Sequence, residues 1–390
     1  MAVSGGSDSL ALLHLLADRG PERLLALTVD HRLRPEAAEE AVTVGRIAAG
    51  LGVAHRVLRW EGWDGSGNTQ DQARRARYRL LAEACAEAGI ADVALGHTRD
   101  DNVETFFLGL TRGAGLDGLS GMRHRFTRDG VTFHRPLLDT GRAALRDELV
   151  RRGVTWADDP SNDDPGYERV RIRQALAGLD LDPATVARSI GNLHATRRDL
   201  GIELLERLCG AYWLDHGDLV IDRDRFEALS PEFRRRTLAA ALRYISGSDY
   251  PPRGADLMRL VTRDWRQGAA TLHGCILFPG PDGLRISREY SAVRDLTCAS
   301  TEIWDNRWRF TGSHRPGRIL RALGPDGLAQ VRDRTPSSQP HHAVLASPSA
   351  WHGERLVAAP MVSGRLDEPE NLQLTPREDI FRFEAAILSH

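Results

Sequence analysis

Lysine is missing from this 390-residue chain, so all 52 of its basic residues are arginine. That absence rules out a GxxxxGK[ST] phosphate loop and any lysine Schiff base. Arginine must do all the cationic work, and its planar fork suits phosphates and base edges. Cysteine is scarce as well. Cys85, Cys209, Cys275 and Cys298 lie far apart with no CxxC pair, which argues against a zinc ribbon, a dithiol redox centre and a disulfide framework. No apolar run approaches the length of a membrane span, so no membrane partner is expected. The start of the chain has neither the basic opening nor the cleavage site of a signal peptide, and a cytoplasmic protein is the expectation. The net charge is −2, so any nucleic-acid footprint must be local.

What is present is a regular alternation. Residues 23–31, 54–60 and 91–96 read as strands, and residues 35–51, 69–88, 100–110 and 140–152 as helices, with a short hairpin pattern before the last. Strand alternating with helix means βαβ units: an α/β fold with a parallel, doubly wound sheet. Ligands in such sheets collect beyond the carboxyl ends of the strands. Near residue 180 the composition shifts. Residues 182–213 and 230–245 read as helices, 219–222 as a strand, and LHGCILF with LRISREY as a hairpin around PGPDG. The length allows two or three domains. The expected division is 1–180 for a nucleotide-binding catalytic domain, 181–300 for a mostly helical domain with a β-hairpin, and 301–390 for a small β-rich module.

The motifs sit at the expected strand ends. SGGSDS, Ser4 through Gly5, Gly6, Ser7 and Asp8 to Ser9, precedes an apolar helix pattern. Two glycines let a ligand approach the backbone, and a helix start offers N–H groups to an anion, most often phosphate. A plain capped turn would look the same locally, so the rest of the chain decides. VDHRLR places Asp30, His31 and Arg34 at the second strand end, and GHTRDDNVET places Asp100, Asp101 and Glu104 at the fourth. Acidic residues are favoured in any first helical turn. Here they would stand over the same crevice as Asp8, where a triphosphate needs Mg²⁺ and hard oxygen ligands. Arg112 opens a glycine-rich loop, TRGAGLDGLSGM. Arg169, Arg171 and Arg173 alternate after DPSN, and together they favour phosphate binding.

In this order, SGGSDS, VDHRLR, QARRARYRLL, GHTRDDNVET, LTRGAGLDGLSGM, RPLLD and DPSN resemble the tRNA(Ile)-lysidine synthase family of PP-loop ATP pyrophosphatases. The resemblance covers roughly residues 2–176. It departs from the family at Val170, where the RNxIR element has Asn, and in the short lead-in before Ser4, which implies a curtailed first strand. The implied reaction uses ATP, Mg²⁺, free L-lysine and tRNA(Ile) with a CAU anticodon. The wobble cytidine is adenylated with release of pyrophosphate, and lysine then displaces AMP. Ser4 to Ser9 would hold the pyrophosphate portion of ATP, and Asp8 with Asp101 the metal. Arg112, His31 and Arg34 would neutralise charge on the adenylate. Asp30, Asp101 and Glu104 all remain open as the base that deprotonates lysine.

For tRNA contacts outside this set, the densest arginine groups are Arg197 with Arg198 and the run Arg234, Arg235, Arg236. A homodimer is an expectation for the assembly. A tRNA thiolase would share SGGxDS but needs catalytic cysteines, which this chain does not place in motifs. An inactive tRNA-binding module is the other alternative.

Overall fold

The computed structural model describes residues 1–32, 36–61, 69–157, 164, 166, 168–179, 181–248, 250–266, 268–281, 283–312, 315–334, 339–367, 373–376 and 382–388. The chain forms two compact units, Met1–Arg197 and Arg198–His390.

The first unit runs α1 (Ser7–Ala17), β1 (Leu25–Asp30), α2 (Glu36–Gly50), β2 (Ala54–Arg59), α3 (Thr69–Glu87), β3 (Asp92–Ala94), α4 (Arg99–Thr111) and α5 (Leu116–Leu119). β4 (Arg125–Arg128), β5 (Val131–His134), α6 (Arg142–Arg151), α7 (Glu168–Ala177) and α8 (Pro183–Leu208) follow, α8 running on into the second unit. β1 pairs in parallel with β2, and β3 in parallel with β5, while β4 closes antiparallel on β5. The opening residues join the two sets. Val3 N–H donates to Leu27 O, Leu27 N–H to Met1 O and Ala2 N–H to Ala94 O. Residues 1–3 therefore lie between β1 and β3. The alternation seen in the sequence becomes one wound sheet, because strands buried on both faces need helices on both faces.

Apolar spacing explains the packing. Leu10, Leu13 and Leu149 from α1 and α6 are at most 1% exposed, as are Leu27, Leu81 and Phe133 around α3. Each such side chain contributes about 1.5–3 kcal/mol of burial. Tyr78 of α3 stands edge-on to Phe126 of β4 and Phe133 of β5.

The second unit opens with β6 (Tyr212–Asp215) and β7 (Asp218–Ile221), then α9 (Arg223–Glu227), α10 (Pro231–Ser246), α11 (Gly254–Val261), β8 (Ala270–Leu272), β9 (Cys275–Pro279) and β10 (Leu284–Arg288). The expected hairpin is there, with Leu284 opposite Pro279 and Arg288 opposite Cys275. It is part of an antiparallel sheet of order β6-β7-β10-β9-β8. His273 and Gly274, both at positive φ, make the two-residue turn from β8 to β9, the backbone such tight hairpins require. α10 packs its buried length on this sheet. Beyond residue 296 come short strands in a four-stranded and a three-stranded sheet, a β-rich region with two cores of its own.

Candidate active site

α1 begins without a side-chain cap. Gly5 takes φ +92, a conformation that favours glycine, and Gly6 is the N-cap. Ser9 Oγ donates to Gly6 O at 3.0 Å and accepts from Ser4 N–H at 3.2 Å, so its hydroxyl is spent inside the turn. Ser7 Oγ lies 3.3 Å from Asp8 Oδ1. Gly96 closes against this turn from the next strand end. A Cβ there would lie 3.1 Å from both N and Cα of Ser9, so the two motifs meet backbone to backbone only because residue 96 is glycine.

α4 begins in the opposite way. Thr98 Oγ1 accepts from Asp101 N–H at 3.4 Å, and Asp101 Oδ2 accepts from Thr98 N–H and from its Oγ1–H at 2.8 Å each: a capping box. The other oxygen of Asp101 faces Arg142, the first residue of α6. Arg142 Nε donates to Asp8 Oδ2 at 3.0 Å and Nη2 to Asp101 Oδ1 at 3.1 Å, while Nη1 stands 3.7 Å from Glu104 Oε1. Arg142 N–H donates to Asp100 Oδ2 at 2.7 Å. Glu104 is 3% exposed; Arg173 of α7 donates to its Oε1 at 2.8 Å, and its Oε2 has no partner among the described residues.

This geometry divides the carboxylates. Burial raises Asp8, and Arg142 offsets only part of that. Burial also works on Asp101, but Arg142 and the Thr98 hydrogen bonds outweigh it and hold the carboxyl below its ordinary value. Burial would weaken the Arg142 guanidinium, yet Asp101, Asp8 and Glu104 together push it above its usual value. No group of three or more His, Cys, Asp or Glu among the described residues is arranged to hold a metal alone. Asp8 and Asp101 each turn a carboxylate oxygen to the Arg142 guanidinium, and carboxylates are the hard ligands that Mg²⁺ takes beside phosphate oxygens and water.

Opposite the carboxylates the site turns basic. Arg135, 6% exposed, donates from Nε to His97 Nδ1 at 3.2 Å and from Nη1 to Arg123 O at 2.6 Å. Burial, then Arg135, Arg74 and Arg77, push His97 down to about 4. Burial and then Arg77 do the same to His31, also to about 4; its Nδ1 has no partner and its ring stands edge-on to Trp60. Arg77 itself feels Arg74 and Arg169. Asp30, 9% exposed at the end of β1, accepts from Arg32 N–H at 2.8 Å and is not joined to the carboxylate group.

The remaining expected residues scatter. Arg112 is exposed and pairs with Glu168 of α7. Arg34 lies outside the described residues, as does all of DPSN. Arg169 and Arg171 are exposed at the start of α7, whereas Arg173 turns to Glu104. Arg197 is buried and meets His194 at 3.2 Å, while Arg198 is exposed. The run in α10 does not form a basic patch. Arg234 donates to the carbonyls of Leu229 and Glu227, Arg235 pairs with Glu232, and Arg236 is 2% exposed against the same Glu232. Sequence reasoning missed Arg142, Arg77 and Arg135. A cation at a helix's first residue, against the macrodipole, was the available sign for Arg142.

A PP-loop domain family model matches residues 1–179. The tRNA(Ile)-lysidine synthase of Ruegeria pomeroyi is 41% identical over 396 residues, covering all of this chain and 94% of that protein. That of Brucella canis is 34% identical over 390 residues, 93% of this chain and 86% of its own length. The chain belongs to the tRNA(Ile)-lysidine synthase family. It is thus an ATP-using, tRNA-modifying enzyme, and the thiolase and inactive-module alternatives give way. Membership agrees with the arrangement of the site, since the family's SGGxDS and GHxxDDxxET elements are the two that touch at Gly96. No helix among the described residues is long and apolar enough to cross a membrane.

Proposed function

We propose that this enzyme joins free lysine to carbon 2 of the wobble cytidine in the CAU anticodon of tRNA(Ile). The carbon-2 oxygen attacks the α-phosphate of ATP and expels pyrophosphate. The lysine ε-amine, having lost a proton, then displaces AMP and leaves lysidine. The observation that carries this reading is the meeting of an uncapped helix start with a carboxylate-lined one.

Each part has a task. The first-turn amides of α1, with Ser4 and Ser7 at its mouth, receive the pyrophosphate portion of ATP. Ser9 serves by holding that turn. Asp8 and Asp101 would hold Mg²⁺, which neutralises phosphate charge. Arg77, Arg135 and His31 face the adenylate, with Arg112 at the rim once it leaves Glu168. Glu104 is the base we favour: its Oε2 is buried and has no hydrogen-bond partner among the described residues, whereas Asp101 is committed to the ion and Asp30 stands apart. Exposed Arg169, Arg171 and Arg198 are the tRNA contacts we favour among the expected set. We assign residues 1–180 to catalysis, 181–300 to tRNA binding and 301–390 to a supporting module, acting in the cytoplasm.

Incubation with tRNA(Ile), ATP and lysine, followed by nucleoside mass spectrometry, tests the proposal. Lysidine that depends on all three supports it; cytidine left unmodified while pyrophosphate is released would sink it. Light scattering tests the homodimer.

A further inference from the structure

Arg142 meets four acidic residues. Its N–H is on Asp100, and its three guanidinium nitrogens face Asp8, Asp101 and Glu104 in turn. Each nitrogen serves a different carboxylate, so one planar fork sets the spacing of all three. An ammonium at that place would neutralise charge without fixing three directions. Gly141 stands directly before Arg142, and a Cβ there would lie 2.5 Å from the movable end of the Arg99 side chain. A cation at the first residue of α6 opposes the helix dipole, so helix formation does not account for it. The cradle also keeps one acceptor open, the buried Glu104 Oε2.

We propose that Arg142 is the positioning residue of the acidic half of the site. It sets Asp8 on α1 against Asp101 and Glu104 on α4, so that an incoming amine meets one prearranged surface. The inference rests on the lysidine-forming reading. Arg142 touches no reacting atom; it acts through the carboxylates.

The test compares Arg142→Lys and Arg142→Ala with the unaltered full chain. Circular dichroism and thermal unfolding measure the folded fraction, and lysidine formation gives kcat with the KM for ATP and for lysine. Both variants are expected to fold and to lose about 100-fold in kcat, the scale for displacing reacting groups by about 1 Å. KM for lysine should rise more than KM for ATP. Millimolar guanidinium should restore part of the Arg142→Ala activity, and methylammonium should not. Near-normal activity of Arg142→Lys would show that charge alone suffices and overturn the proposal. So would a loss of activity that only follows the folded fraction, or unfolding of both variants. Failure of the unaltered protein to make lysidine would instead remove the reading beneath it.

Discussion

Two helices start a few ångströms apart in this site and do opposite things with their ends. α1 begins at Gly6 with no side-chain cap; α4 begins at Thr98 with both partners of a capping box in place. The open start leaves its dipole and amides for a ligand anion. The closed start satisfies its own amides and spends the remaining carboxylate oxygens on cations. Gly96 lets the two approach to contact. A site for a metal-bearing triphosphate and an amine needs both kinds of end, and adjacent helices of the same wound sheet supply them.

The contrast breaks most sharply at the closed end. Asp101→Asn keeps the shape but removes the charge facing Arg142 and weakens the box. Lysidine formation should fall by about 100-fold or more, and urea unfolding should show a loss of about 1–2 kcal/mol. Near-normal turnover would mean that Asp101 only caps α4.

Closing the open end is the complementary experiment. Gly6→Asp has space, since the nearest atom to a Cβ there is Ser4 Oγ at 3.9 Å. The new carboxylate caps α1 and occupies the anion's place. Calorimetry should find ATP binding weakened by about 10-fold or more through anion repulsion, while stability rises by about a few tenths of a kcal/mol. Unchanged ATP affinity would place the triphosphate elsewhere.

The basic side gives a pH signature. His31 and His97 stay neutral in the folded protein down to about 4, whereas their unfolded rings take up protons near 6.5. Stability is thus complete above pH 6.5 and drains away as pH falls from 6.5 toward 4. Urea midpoints across that window should drop for the intact chain and drop less for His31→Gln. Parallel curves would show that His31 is not held neutral.

The smallest effect is expected from Thr98→Ser. It keeps the hydroxyl of the box and deletes one buried methyl, with Thr98 fully enclosed. A loss below about 1.5 kcal/mol with activity retained is the expected result, read from thermal unfolding and turnover together. A larger loss of activity than of stability would give the threonine a role beyond the cap.

Much of this fold was legible because period and punctuation agreed. Strand runs ended at glycine or acidic turns, and the hairpin of β9 and β10 fell on its alternating residues. The anion-facing turn and the carboxylates were legible because they were dense in sequence. Arg142 was not. It lies 41 residues from Asp101 and 134 from Asp8, and only tertiary closure of the sheet unites them. The opposite error came from density alone. Arg234, Arg235 and Arg236 stand together in sequence, but a helix turns successive residues to different sides. One guanidinium is buried, one reaches back to carbonyls and one pairs with Glu232.

The contact between Arg135 and His97 fixes something smaller. A guanidinium has no lone pair to offer, so in the 3.2 Å contact Nδ1 of His97 must be the acceptor. With the ring neutral, its single proton then resides on Nε2. His97 is therefore locked in one tautomer, and whatever its far nitrogen meets, it meets as a hydrogen-bond donor. Nitrogen chemical shifts of the imidazole would display that tautomer directly.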